Sequence, residues 1–278
     1  MTPLAPCDTA PLFRPLAREL VTLLRGLTAA DWLRPTVAGH WRVRDVAAHL
    51  LDGQLRKISA QRDAHFTPPD RPIENDADLA RFINALNAGG VAYGARLSTP
   101  LLIDLLERSG RQLADLVTRL DPNAPALYAV SWAGEQSSAN WMDTGREYTE
   151  HWHHQMQIRD AVNRPRLLEP RWLEPLLDMS VRALPHAYAA VAAPPATVVT
   201  LSVMGETTGA WSLLRDAGGW QLRRGRPASP DTTVTIAADD VWRMFYNALS
   251  GDALMQRVRV EGDADLAAPL LRARSVIV

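Results

Sequence analysis

The sequence predicts an α fold followed by an α+β fold: a helical bundle over residues 1–191, then a small α+β domain over residues 197–278. Three observations carry this expectation. Apolar residues recur at three- and four-residue spacings until about residue 190, the period of amphipathic helices. Ala192-Ala193-Pro194-Pro195-Ala196 then interrupts the chain with two prolines, which a helix interior rejects. Beyond it the apolar runs become short and strand-like, with turn residues between them.

The elements follow in order. Leu12, Leu16, Leu20, Leu23 and Leu24 form one stripe of a helix over 11–27. A second helix occupies 43–62, behind the loop Thr36-Val37-Ala38-Gly39-His40-Trp41. A third spans about 78–97, and a fourth 100–120, opened by Pro100 at a position where its missing N–H costs nothing. Residues 121–141, with Pro122, Pro125, Gly134 and several serines, read as a loop. Asp143 or Thr144 suits the N-cap of a helix reaching Val162. Another helix runs from Pro170 to about Val191. After the linker, strands are expected at 198–203, 210–214, 220–223 and 233–236, then a helix from Asp239 to Ala248, a strand at 258–260 and a helix over 263–274. Trp32, Trp41, Trp132, Trp141 and Trp152 are expected to pack between helices; Trp132 and Trp141 can alternatively line a pocket mouth.

Composition excludes several classes. A formal net charge of −1, with both signs interspersed, offers no electrostatic footprint for nucleic acid or an anionic membrane. No uncharged apolar stretch is long enough to span a bilayer, and the N-terminus lacks a basic region followed by an apolar run, so a cytoplasmic protein is expected. The single cysteine, Cys7, excludes an internal disulfide and reads as an incidental residue in a frayed N-terminus.

Chemistry concentrates in Glu150-His151-Trp152-His153-His154, which holds three of the seven histidines. Glu150 and His154 are spaced i,i+4 and stack on one helix face. With His49 from another helix they make two imidazoles and a carboxylate, a donor set that leaves an open position on a catalytic divalent metal. On the helical wheel Glu147, Glu150, His154, Gln157, Ile158 and Ala161 share a side, and Ile158 and Ala161 turn that side inward. Spacing alone favours partly solvated surface histidines at 151, 153 and 154 with His49 a hydrogen-bonded core residue, and it also permits Glu147 with His151 or Glu150 with His153.

The segment Trp41-Arg42-Val43-Arg44-Asp45-Val46-Ala47-Ala48-His49-Leu50 resembles the W-x-V-x-D-V-x-A-H-L segment of the DinB-like and mycothiol-dependent maleylpyruvate isomerase superfamily. Arg146 to Ala161 is similar to that family's E-T-W-x-H-x-x-D-x-x-D-A helix, with Trp152 and Asp160-Ala161 setting the register. Residues 233–242 and 258–266 resemble the sterol-carrier-like domain that follows the bundle in this family. The resemblance implies a DinB-like up-down bundle with a metal held by His49, Glu150 and His154, leaving His151 and His153 as non-ligands, His151 at the surface or, alternatively, lining a pocket or supporting a ligand. It further implies a divalent ion, zinc first, with nickel, iron or cobalt compatible with the same donors. A low-molecular-weight thiol of the mycothiol type is the expected cosubstrate, and a small electrophilic, carboxylate-bearing molecule the substrate of an isomerase or S-transferase. The thiol pocket corresponds to no short motif and maps onto no residue. Arg223, Arg224, Arg226 and Arg243 are candidates to meet the carboxylate. Gln157 departs from the family aspartate three residues after the second histidine; where that aspartate orients a ligand or a substrate group, its loss puts the family's best-known reaction in doubt. Competing readings are a metal-dependent hydrolase using Glu147 as base, and a non-catalytic metal- and lipid-binding stress protein. Expected partners are the small substrate and the thiol, with the chain a monomer or homodimer.

Overall fold

The computed structural model describes residues 1–277, which fall into two compact units. One unit, Thr9–Leu127 with Glu150–Arg166, is helical. The other, Met1–Asp8 with Tyr128–Thr149 and Leu167–Ile277, carries the sheet.

The helical unit contains α1 (Phe13–Arg25), α2 (Val43–Asp63), α3 (Asp76–Gly94), α4 (Thr99–Arg119) and the C-terminal part of α5 (Asn140–Ala161). Its core forms where the apolar stripes meet: Leu24, Val46, Leu50, Leu102, Leu106 and Ile158 are all buried in one cluster. Local chemistry sets the helix starts. The Asp45 carboxylate accepts the Arg42 N–H at 2.9 Å and so begins α2 at Val43. The Ser98 hydroxyl accepts from the Leu101 N–H and begins α4, with Pro100 in its first turn. Helix α3 lies very close on α2. A β-carbon at Gly94 would stand 2.3 Å from Ala48 Cβ, and one at Gly90 2.3 Å from Asp52 Cγ, so only glycine permits this approach.

Helix α5 corrects the sequence reading twice. It begins at Asn140, three residues before the expected cap. Asp143 does not cap; its carboxylate is buried and paired with Arg146 at 2.6 Å. The helix is also buried almost all round rather than on one side: Tyr148, Trp152 and Gln155 are as inaccessible as Ile158. That pattern belongs to a helix enclosed by its neighbours, not to a surface helix.

In the second unit a six-stranded sheet has the order β1-β4-β3-β2-β5-β6. Its strands are β1 (Thr2–Pro3), β2 (Val198–Met204), β3 (Gly209–Asp216), β4 (Gly219–Arg224), β5 (Thr232–Ala237) and β6 (Val258–Gly262). All pairings are antiparallel except β2 with β5. The unit also carries α6 (Pro170–Ser180), α7 (Ala183–Ala187), α8 (Ala238–Phe245), α9 (Gly251–Met255) and α10 (Ala264–Arg272). Val241, Trp242 and Phe245 give α8 its buried stripe. The single helix expected from 170 to 191 is broken into α6 and α7. Pro185 supplies the reason, since its ring clashes with the carbonyl four residues back, at Val181, where α6 has ended. The N-terminus is not frayed. Thr2 and Pro3 pair with Arg224 and Arg223, and Cys7 packs on Val130, Met142 and Met179 beside the half-buried Trp132 and Trp141. No helix among the described residues is long and apolar enough to cross a membrane.

Candidate metal centre

Two helices of the bundle bring the candidate donors together. His49 comes from the buried side of α2, and Glu150 and His154 from successive turns of α5. One ligand atom from each lies within 4.8 Å of the other two. The His49 and His154 rings meet edge to face, 4.6 Å between centroids. Glu150 Oε2 stands 3.5 Å from His154 Nε2, longer than a well-made hydrogen bond, so the polar edges converge without closing on one another.

The two imidazoles are prepared differently. The amide oxygen of Gln157 lies 2.8 Å from His154 Nδ1, which places the proton on Nδ1 and leaves the Nε2 lone pair facing Glu150. Gln157 therefore makes a contact that orients His154. Loss of that contact is expected to matter: Gln157→Leu should weaken zinc binding about 10- to 100-fold, whereas Gln157→Glu, which retains an acceptor, should stay close to wild type, as read by competition with a chromophoric chelator.

Burial holds the His49 pKa well below the ordinary histidine range, with the neighbouring His154 reinforcing it and Glu150 opposing it. His49 is thus neutral near pH 7, as a ligand must be. Its Nδ1 is buried with no hydrogen-bond partner among the described residues. A ring nitrogen kept in that condition costs about 1–3 kcal/mol, and ligation of an ion is a physical reason to retain the ring there.

Trp41 covers one side of both rings, 4.9 Å from His49 and 6.3 Å from His154. A tight turn delivers it. Thr36 donates its N–H and hydroxyl to the Trp41 carbonyl at 3.0 and 2.8 Å, and the Trp41 N–H returns to Ala38. Sequence reasoning treated Trp41 as packing only; its place eight residues before His49, across a helix start, gave no spacing signal for this contact.

The remaining histidines of the cluster are not surface residues. His153 is buried with its ring 4.0 Å from that of His154. His151 is half-buried against Phe13 and, with Gln54 and Gln155, lines a small cavity about large enough for one water. The all-round burial of α5 accounts for both. Glu147, the base of the hydrolase reading, is buried and bound to Arg146 at 2.7 Å. Of the arginines in the sheet unit, Arg224 pairs with Asp178 and Glu174 and lies over Trp211, while Arg243 lies over Trp242 beside Asp239. Both thus have structural employment within their own unit.

Cys7 is no thiolate. Burial, reinforced by Asp178, pushes its pKa up to about 12. Native Cys7 is expected to resist iodoacetamide at pH 8 and to react promptly once the chain is unfolded in guanidinium, an outcome followed by mass spectrometry. Prompt reaction of the native thiol would contradict its packing.

Comparison with known proteins agrees with this architecture. Among solved structures, a mycothiol-dependent maleylpyruvate isomerase covers 95% of this chain and 98% of its own, with a TM-score of 0.54 at 14% identity. A histidine-to-alanine mutant of that enzyme aligns over the same shares with a TM-score of 0.53, also at 14% identity. The sterol carrier protein 2 like 2 of Aedes aegypti aligns with 34% of this chain and 96% of its own at 29% identity, with a TM-score of 0.25. No curated protein matches the sequence. The sequence profile of the mycothiol maleylpyruvate isomerase N-terminal domain matches residues 13–159, just over half of the chain and inclusive of His49, Glu150 and His154. With the Trp41–Leu50 segment and the second segment as far as Arg159 inside that match, and the fold shared along nearly the whole length, the chain belongs to the mycothiol maleylpyruvate isomerase N-terminal domain family.

Proposed function

We propose that this protein is a metal-dependent enzyme that uses a low-molecular-weight thiol of the mycothiol type to isomerise, or to add sulfur to, a small electrophilic carboxylate. The observation that carries the reading is the convergence of His49, Glu150 and His154 within 4.8 Å, in a chain of this family. These three residues would hold a divalent ion, zinc first, with nickel, iron or cobalt admitted by the same donors. Such an ion supplies a positive centre that lowers the pKa of a thiol, so that thiolate is present near neutral pH.

The chain's own groups do the rest. His49 and His154 are neutral donors and Glu150 contributes one negative charge, so the donor set leaves a divalent site net positive and hospitable to an anionic sulfur. Gln157 keeps the His154 proton on Nδ1, away from that space. Trp41 screens one side of the rings from water, which strengthens electrostatics there. Because Cys7 remains protonated, the nucleophilic sulfur comes from outside the chain. In isomerisation the thiolate adds to one carbon of a cis double bond and a proton to its neighbour. Rotation about the resulting single bond and elimination of both return the thiol and the trans product. Addition without elimination gives S-transfer.

The test is spectroscopic. Cobalt-loaded protein titrated with the thiol should develop a sulfur-to-cobalt charge-transfer band that the S-methylated thiol does not produce. Cobalt-loaded protein on which the thiol produces no band would overturn the thiol role and leave a metal site with other chemistry.

A further inference from the structure

Helix α2 carries His49, Gly53 and Arg56 at i, i+4 and i+7, spacings that set them in one row along the helix. His49 is buried while Gly53 and Arg56 are half-buried, so the row becomes partly accessible as it leaves the histidine. A β-carbon added at Gly53 would meet no atom within 4 Å; the row therefore opens on free space between the histidine and the arginine. Arg56 is held from two directions. Its Nε donates to Asp52 Oδ2 at 2.7 Å and its Nη2 to Asn87 Oδ1 of α3 at 2.9 Å. Asp52 is itself fixed against Gly90. A guanidinium has five N–H donors, and these bonds engage two of them. Nη1 makes no hydrogen bond among the described residues, and the side chain is 31% exposed, so donors remain for a carboxylate.

We propose that Arg56 is a carboxylate-anchoring subsite, taking an anionic end of a small substrate while its reactive carbons lie in the space beside Gly53, toward His49. The inference rests on reading His49, Glu150 and His154 as a metal centre. The reach is right for a small molecule. Seven residues of helix rise about 10 Å, and a long side chain leans toward the helix N-terminus, here toward His49, so a chain of a few carbons spans what remains. Asp52 offsets the charge of Arg56, so selectivity comes from the planar fork of donors rather than from net charge. An i,i+4 ion pair serving only to brace α2 would account for Asp52 but not for the open space beside Gly53.

The probe is maleate, a cis-dicarboxylate, titrated calorimetrically into zinc-loaded full-length protein, with zinc content measured on every sample beforehand. Arg56→Met removes the donors and keeps the stem, Arg56→Lys keeps the charge without the fork, and Asp52→Asn breaks the ion pair but keeps the guanidinium. Zinc is expected at about one equivalent in all four proteins. Maleate affinity should fall at least about tenfold in Arg56→Met, fall less in Arg56→Lys, and be kept or raised in Asp52→Asn. Equal maleate affinity in Arg56→Met and wild type overturns the subsite. So does an equal fall in Arg56→Met and Asp52→Asn, the signature of a brace, and so does zinc-loaded wild type that takes no maleate. Wild type that holds no zinc overturns the metal reading before maleate is added, and the subsite defined by its distance from that metal falls with it.

Discussion

Alanine at His49 or at His154 is expected to reduce the metal retained through gel filtration from about one equivalent per chain to background. Each histidine is one of the three donors that converge within 4.8 Å among the described residues, and two remaining donors cannot enclose an ion against competition from water. Glu150→Gln should behave similarly, because an amide oxygen replaces neither the charge nor the second acceptor of a carboxylate. The informative controls are the adjacent histidines. His153→Ala and His151→Ala should keep their metal, although both side chains lie near the site and His153 stacks on His154. Plasma mass spectrometry on untagged protein gives the stoichiometry, and a thermal melt in chelator shows that the alanine variants remain folded. Retention in His154→Ala together with loss in His153→Ala would select the competing Glu150–His153 pairing. Wild-type protein that is metal-free and resists reloading would remove the catalytic reading and leave a bundle with the family's shape.

The bundle and the sheet were legible in the sequence because periodicity reports burial, and burial is what builds both. Helices α1, α2 and α4 begin within a residue or two of their expected positions, since leucine stripes, a carboxylate accepting at Arg42 and a proline in a first turn are local signals. What escaped depended on the rest of the chain. Two residues of β1 exist only because β4 offers them an edge, and no two-residue segment has a period. Cys7 looked idle because nothing in its vicinity in sequence announces Val130, Met142 and Met179. The break between α6 and α7 was available in Pro185 and was overridden by the apolar stripe around it. In the candidate site, the i,i+4 pairing of Glu150 with His154 was visible, but its choice over two rival pairs needed the family motif. The i,i+3 spacing of Gln157 and His154 is local too, but a motif reports the residue type at a position and not that an amide oxygen can accept there. Full burial of His153 was not foreseeable from a helix that carries Glu147, Arg146 and Arg159, charges that ordinarily mark a solvated face and are here paired within the protein.

Trp152→Ala is expected to lower the stability of the metal-free chain by about 3–5 kcal/mol. The side chain has no exposed surface and stands two residues from both Glu150 and His154, which places it about 160° round α5 from the two donors. Trp152 thus packs the back of the turn whose front carries the site, and its bulk sets the rotation at which Glu150 and His154 face His49. A loss of that size takes much of the roughly 5–15 kcal/mol that holds a folded protein together, so the variant should unfold at clearly lower guanidinium concentration with its slope unchanged. Trp152→Phe, which keeps an aromatic ring, should lose much less. A fall below about 1 kcal/mol for Trp152→Ala would mean that the site's geometry is imposed from elsewhere. The measurement also separates framework from chemistry. His49→Ala removes donor atoms and should cost metal far more than it costs metal-free stability, because its Nδ1 makes no hydrogen bond among the described residues that the mutation could break. Trp152→Ala should cost stability whether or not metal is present. Were the two variants to fail in the same way, the donors would be structural members of the core, and the convergence at 4.8 Å a by-product of packing.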